Sequence, residues 1–265
     1  NTNPADPSLI FNAYLHRLQA SINNSIEKIE QDERSEQEHI STLLPSERFN
    51  KLRDGKVMAR WEERQKDWEL LQNKIAIITG ASRGIGKSIA LAFARNGASL
   101  VITSLQNEDS LDAVKEEAEL LGVRVISLVG DVASNDFCDK VVSQSLETFG
   151  TVDILVNCAG TITRSVTEEM SNEEWHRVID VNLHSVLYLS QNVLPIMRKN
   201  KYGKIINLTS QMAHTPHPSA SPSYEVSKSG ITALTRHLAL EYAKFNICVN
   251  NIAPGSIDTD LPKSM

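Results

Sequence analysis

The sequence predicts an α/β fold, a doubly wound parallel sheet preceded by a helical extension. Three observations carry this. From residue 75 onward, six short apolar runs alternate with five segments of helical period. A glycine-rich turn joins the first run to the first helical segment. Residues 1–74 differ in kind, with 11 Lys/Arg, 13 Asp/Glu, glycine only at Gly55 and no strand pattern.

The extension reads as two helices. Leu9, Phe11, Tyr14, Leu15, Leu18, Ile22, Ile26 and Ile29 recur at three- and four-residue spacing, one apolar stripe on a helix over about residues 8–38. Ser8 is its expected N-cap, just after Pro7. Pro45 interrupts the pattern, and Val57, Met58, Trp61, Trp68 and Leu71 form a second stripe over about residues 56–71. Both stripes are expected to pack on the main domain or on a sister subunit. Residues 75–265 form the second domain. Its expected strands are Ile75–Thr79, Leu100–Thr103, Val123–Val129, Ile154–Asn157, Lys204–Thr209 and Ile247–Ile252. Helical patterns lie near 85–96, 109–121, 134–149, 172–199 and 223–244. Short, continuously apolar strands separated by helices mean βαβ units buried on both faces. Right-handed crossovers then wind the sheet in both directions.

Composition narrows the function classes. Of 265 residues, 41% are hydrophobic and 23% charged, enough for a packed core. The net charge of −6 argues against a general nucleic-acid binder. No apolar run approaches the roughly 20 residues of a membrane helix, and no secretory signature opens the chain, which begins at Asn1 and reads as trimmed. Cys138, Cys158 and Cys248 are odd in number and outside any metal-ligand spacing, so a reducing, cytoplasmic compartment and no metal are expected.

The first strand runs into Thr79-Gly80-Ala81-Ser82-Arg83-Gly84-Ile85-Gly86, and a helix follows. Gly80 permits the tight turn, Gly84 a close approach to a pyrophosphate, and Gly86 close helix–strand packing. The helix N-terminus then presents free N–H groups to the anion. The spacing Thr-Gly-x-x-x-Gly-x-Gly resembles the nucleotide loop of the short-chain dehydrogenase/reductase family, whose fold is Rossmann-like. Further elements of that family's pattern follow in order. They are Asp131-Val132 as the adenine-contacting pair, Asn157-Cys158-Ala159-Gly160, Asn182 in Asp180-Val181-Asn182-Leu183, Ser210, Tyr224 with Lys228, and Pro254-Gly255-Ser256-Ile257-Asp258-Thr259. The resemblance covers about residues 74–265. Residues 1–74 have no counterpart in it. The C-terminal lid and last strand that the family pattern places after Thr259 are expected to be missing from the sequence.

The resemblance implies a cofactor-binding set of Gly80, Ser82, Arg83, Gly84, Ile85, Gly86, Ser104, Asp131, Val132, Asn157, Ala159, Gly160, Tyr224, Lys228, Pro254, Gly255, Ile257 and Thr259. Ser104 stands where an NAD-preferring relative places an acid for the ribose 2′-hydroxyl, and Arg83 can reach a 2′-phosphate. A missing carboxylate beside a guanidinium favours NADP(H). NAD(H) is the alternative, since Glu108 and Asp109 lie close behind.

Tyr224 and Lys228 are four residues apart and share a helix face. A neighbouring ammonium lowers a phenol's pKa and fits it for proton transfer. Tyr224 is the expected general acid/base, and Ser210 would hydrogen-bond the same substrate oxygen. The resemblance further implies that Lys228 holds the nicotinamide ribose and that Asn182 fixes a water linking Lys228 to solvent. His214 and His217 read as exposed loop histidines, and Cys158 as a small buried residue rather than a nucleophile.

These readings converge on an NADP-dependent oxidoreductase that interconverts a small-molecule carbonyl and a secondary alcohol. A 3-oxoacyl-thioester reductase and a sugar or polyol dehydrogenase are both compatible. A non-catalytic NADP-binding sensor or scaffold is the competing class, opposed by the intact Ser210, Tyr224 and Lys228. The expected assembly is a homodimer or homotetramer.

Overall fold

The computed structural model describes residues 70–106, 108–218 and 220–257. Both expected helices of the extension lie almost wholly outside these residues, and Leu70–Asn73 form a turn. The first strand, β1, spans Ile75–Ile78 and is followed by α1 (Gly84–Arg95), β2 (Ser99–Ser104) and α2 (Glu108–Glu119). Then come β3 (Val125–Val129), α3 (Asn135–Phe149) and β4 (Ile154–Asn157). The second half adds α4 (Asn172–Ile179), a π-helical turn (Asp180–His184), α5 (Ser185–Asn200), β5 (Gly203–Leu208), α6 (Pro222–Tyr242) and β6 (Ile247–Ile252).

Six strands form one sheet in the order β3-β2-β1-β4-β5-β6, and every pairing is parallel. The chain therefore winds outward twice from the β1/β4 pair, as the alternation predicts. Strand alternation splits the core between the two faces of the sheet. Ile78, Leu100, Ile102 and Val156 pack with Leu91 of α1 and Leu111 of α2. Ile77, Val101, Leu155 and Ile205 pack with Val141 of α3, Leu189 of α5 and Leu238 of α6. All four residues of β1 are buried, which is why the run is apolar without alternation.

Three helices start at serine caps. The side chains of Ser134, Ser171 and Ser221 accept the N–H of Phe137, Glu174 and Tyr224. Helix α3 stops at Gly150, whose φ of +79° suits glycine and whose N–H returns to the Leu146 carbonyl. The single helical pattern expected over 172–199 is interrupted by the π-helical turn. That turn carries the fully buried Asn182. The strands Ile154–Asn157 and Ile247–Ile252 match the sequence reading, and the other four shift by one or two residues at an end, where strand ends fray.

Candidate active site

A cleft of about 850 Å³ lies along the C-terminal ends of the strands. This is where a doubly wound sheet opens, because the crossovers leave β1 and β4 in opposite directions. Gly80, Ser82, Arg83, Gly84, Ile85 and Gly86 line it, together with Ser104, Asp131, Val132, Ala159 and Gly160. So do Ser210, Tyr224, Lys228, Pro254, Gly255 and Ile257. Thr259 lies outside the described residues. Asn157 and Asn182 stand behind the cleft wall rather than on it.

The phosphate loop is fixed from both sides. Ala81 N–H donates to the Thr103 carbonyl at 2.8 Å. The Thr79 hydroxyl accepts the N–H groups of Cys158 and Ala159, both at 3.0 Å. Thr79 thus ties the ends of β1 and β4 together, a role the sequence reading did not assign. Gly80 has φ +67°, and a Cβ there would stand 2.9 Å from the Ala159 backbone. A Cβ on Gly86 would run into the Gly80 carbonyl. Helix α1 differs from α3, α4 and α6 in having no side-chain cap, and it has no acid in its first turn. Its first N–H groups are left facing the cleft, and this fits the diphosphate of a dinucleotide.

At the adenosine end the structure amends the sequence reading. Ser104 is buried, and its hydroxyl donates to the Gln106 carbonyl at 2.7 Å, so that proton is held within the turn. Glu108 and Asp109 sit in the first turn of α2, and neither lines the cleft. Arg83 is exposed, with no side-chain partner among the described residues. Asp131 accepts from Ala133 N–H at 3.0 Å and from Arg177 Nη1 at 2.6 Å. Arg177 lines the same cleft from α4, and no motif in the sequence marked it. Asn157 donates to the Asn207 side chain at 2.8 Å, and Asn207 donates onward to Thr235 at 2.9 Å. This buried chain joins β4, β5 and α6, so Asn157 braces the cleft instead of lining it.

The reacting groups come from β5 and α6. Lys228 is 5% exposed, and its Nζ donates to the Leu208 carbonyl at 2.8 Å. Burial pushes its amine down to about 8, opposed by the nearby Cys158. Its Nζ lies 5.7 Å from the centre of the Tyr224 ring. Burial pushes the Tyr224 phenol above its ordinary value, and its hydrogen bond with Ser210 pulls it back. The expected lowering of the phenol by Lys228 is therefore corrected. Desolvation dominates, and Ser210 is the group that opposes it. Ser210 Oγ accepts from Met212 N–H at 3.2 Å, which leaves its own proton for Tyr224 or a substrate oxygen.

Asn182 is occupied within the protein. Its Oδ1 accepts Thr161 N–H at 2.8 Å, and its Nδ2 donates to the Thr161 carbonyl at 2.9 Å and to Ser227 at 3.0 Å. It pins the loop after β4 onto α6, and Gly160 keeps the space beside Asn182 and Lys228 clear. His214 and His217 are both exposed, as read from the sequence, and His217 lines the cleft. Burial raises the Cys158 thiol to about 11, opposed by Lys228, which agrees with a thiol that is no nucleophile. Glu174 was missed, although Ser171-Asn172-Glu173-Glu174 is a capping-box spacing. Its Oε2 accepts from Ser165 at 2.7 Å, and hydrogen bonds from Thr163 and Ser165 hold its carboxyl below the usual range.

A dinucleotide cradle on a doubly wound sheet, with a serine, a tyrosine and a lysine meeting at one end, defines a nicotinamide-dependent oxidoreductase. Residues 74–265 match the family described as short chain dehydrogenase, and the chain belongs to that family. It is an oxidoreductase of CH–OH and carbonyl groups, and it uses NAD(P)(H). Its relatives include the 3-oxoacyl-[acyl-carrier-protein] reductase FabG of Staphylococcus epidermidis, 38% identical over 193 residues, 73% of this chain and 79% of that protein. The (2S)-[(R)-hydroxy(phenyl)methyl]succinyl-CoA dehydrogenase subunit BbsD of Thauera aromatica is 36% identical, over 72% of this chain and 76% of that one. A Sinorhizobium meliloti protein described as a short-chain alcohol dehydrogenase superposes with a TM-score of 0.69 at 36% identity, covering 72% of this chain and 75% of its own. Among the described residues, no helix is long and apolar enough to cross a membrane.

Proposed function

We propose that the protein is an NADP-dependent reductase of a 3-oxoacyl-thioester-like carbonyl, with Tyr224 as the proton donor. The observation that carries this reading is the meeting of Ser210, Tyr224 and Lys228 on the wall of the cleft that begins at the uncapped end of α1. The resemblance to reductases of 3-oxoacyl groups supports the thioester, and Arg83, unpaired among the described residues, with Ser104 rather than an acid at the end of β2, supports the 2′-phosphate. Its three cysteines are free, in keeping with a reducing, cytoplasmic compartment. A homodimer or homotetramer built on α5 and α6 belongs to the same reading.

When bound, the dinucleotide supplies the hydride to the carbonyl carbon. Tyr224 gives its phenolic proton to the carbonyl oxygen as charge develops there. Ser210 donates a hydrogen bond to the same oxygen and so stabilises that charge before the proton arrives. The Lys228 ammonium, held by the Leu208 carbonyl, faces the tyrosinate that remains. The resting phenol carries its proton at neutral pH, as an ordinary phenol of pKa about 10 does, which suits reduction, and burial pushes the phenol further in that direction.

Tyr224→Phe tests the assignment. It keeps the ring and removes the proton, so kcat for carbonyl reduction falls by about 10²–10⁴-fold, with NADPH affinity changed by less than about twofold. A variant that turns over at the wild-type rate eliminates Tyr224 as the donor. Comparing a 3-oxoacyl thioester with neutral sugars and polyols separates this substrate class from the sugar or polyol alternative. NADPH binding with no turnover on any carbonyl or alcohol would make the protein a sensor.

A further inference from the structure

The loop that follows β4 is bonded at every second residue. Thr161 is held through both its N–H and its carbonyl by Asn182, at 2.8 and 2.9 Å. Thr163 is held twice by Ser221, hydroxyl to hydroxyl at 2.8 Å and through its carbonyl, which accepts Ser221 N–H at 3.1 Å. Ser165 donates to Glu174 at 2.7 Å. Five hydrogen bonds to the π-helical turn, α4 and the start of α6 therefore fix residues 161, 163 and 165. The residues between them, Ile162 and Arg164, both line the cleft.

Arg164 is exposed and has no hydrogen-bond or ion-pair partner among the described residues. The other guanidiniums of the cleft wall are accounted for. Arg177 is paired with Asp131 at 2.6 Å, and Arg83 belongs to the phosphate loop. Asp131 is also the only carboxylate among the described residues that line the cleft. Glu174 stands behind the loop, bonded to Ser165, and is not on the cleft wall. The wall beyond the adenosine end thus carries positive charge with no acid to balance it. A guanidinium on a backbone fixed on both sides of it is preorganised, which lowers the ordering cost of gripping an anion.

We infer that Arg164 is a substrate-recognition residue, and that the substrate is a carbonyl compound bearing an anionic group, a carboxylate or a phosphate, away from the reacting carbon. This rests on the oxidoreductase reading of the cleft and narrows its substrate class. A bidentate guanidinium–oxyanion contact fixes orientation as well as charge, so it also sets which carbonyl of a polyfunctional substrate faces Tyr224.

The test uses the full chain with NADPH and matched substrate pairs. These are a 3-oxo acid against its methyl ester, a keto sugar acid against the neutral keto sugar, and a 3-oxoacyl phosphopantetheine thioester against the phosphate-free thioester. The expected result is a preference of at least tenfold in kcat/KM for the anionic member of one pair or more. The first two pairs report a carboxylate, the third a phosphate. In Arg164→Ala the anionic-to-neutral ratio falls at least tenfold, chiefly through KM, and Arg164→Lys recovers part of it. Anionic preference that survives Arg164→Ala, or no preference in any pair, overturns the inference. Binding of the same pairs to the NADP⁺-loaded protein by equilibrium dialysis keeps the two readings apart. Lack of turnover with Arg164-dependent binding of the acid upholds this inference and sinks the reductase, whereas turnover with equal binding of acid and ester does the reverse.

Discussion

Lys228 is the residue whose ionisation links stability to chemistry. Its ordinary value is 10.5, and burial brings it to about 8 in the folded chain. Between those values the unfolded chain binds more protons than the folded one, so this residue's contribution to stability rises with pH there. Below about pH 8 both states are protonated and the cost of the buried charge is fully present. Lys228→Met removes that cost, so the stability difference between the variant and wild type shifts toward wild type as pH rises from 8 to 10.5. Denaturant unfolding at several pH values measures it, and a difference independent of pH contradicts the assignment. In the same window carbonyl reduction by the free enzyme declines, because the ammonium beside Tyr224 is being lost. Cofactor choice also belongs to single residues. Arg83→Ala is expected to weaken NADP by about 1.5–3 kcal/mol, the range of a hydrogen bond to a charged group, and to leave NAD nearly unchanged. Ser104→Asp places a carboxylate at the same end of the cleft and moves the preference further toward NAD. The ratio of kcat/KM for the two cofactors reads both variants, and a wild type that already prefers NAD tenfold removes Arg83 from the 2′-phosphate.

Helix α1 meets the loop before it through a glycine, with no room for a methyl group. A Cβ on Gly86 would meet the Gly80 carbonyl carbon at 2.8 Å, so Gly86→Ala forces the helix away from the loop. NADPH affinity is expected to fall more than tenfold with a lowered Tm, and near-native affinity by fluorescence titration would show that α1 does not hold the diphosphate. The elements themselves were largely legible in the sequence. All six strands and the four uninterrupted helices expected beyond residue 75 appear within a residue or two, because burial on both faces leaves continuous apolar runs and burial on one face leaves a helical period. The π-helical turn was not legible. Its signal is the demand that Asn182 meet Thr161 and Ser227, residues 21 and 45 positions away. No local periodicity encodes such a demand.

At the scale of the whole molecule, every described residue on the cleft wall lies at Gly80 or beyond. Deleting residues 1–69 is therefore expected to leave NADPH affinity within about twofold, and loss of binding by a folded truncated protein would make the extension part of the site. Sedimentation of the same two proteins reports whether the extension assembles subunits. By itself the sequence determined the doubly wound sheet and the phosphate loop, because each is written in short-range spacing and turn chemistry, and the family resemblance implied the Ser210, Tyr224 and Lys228 set. Only the tertiary structure decided which side chains are occupied and which are open. It turned the Ser104 hydroxyl into its own turn, paired Asp131 with Arg177, and put the weight on burial rather than Lys228 in setting the Tyr224 phenol. It also left Arg164 on the cleft wall with no partner among the described residues. Partnership and desolvation depend on residues brought together from distant parts of the chain, and a linear pattern carries no record of the distances between them.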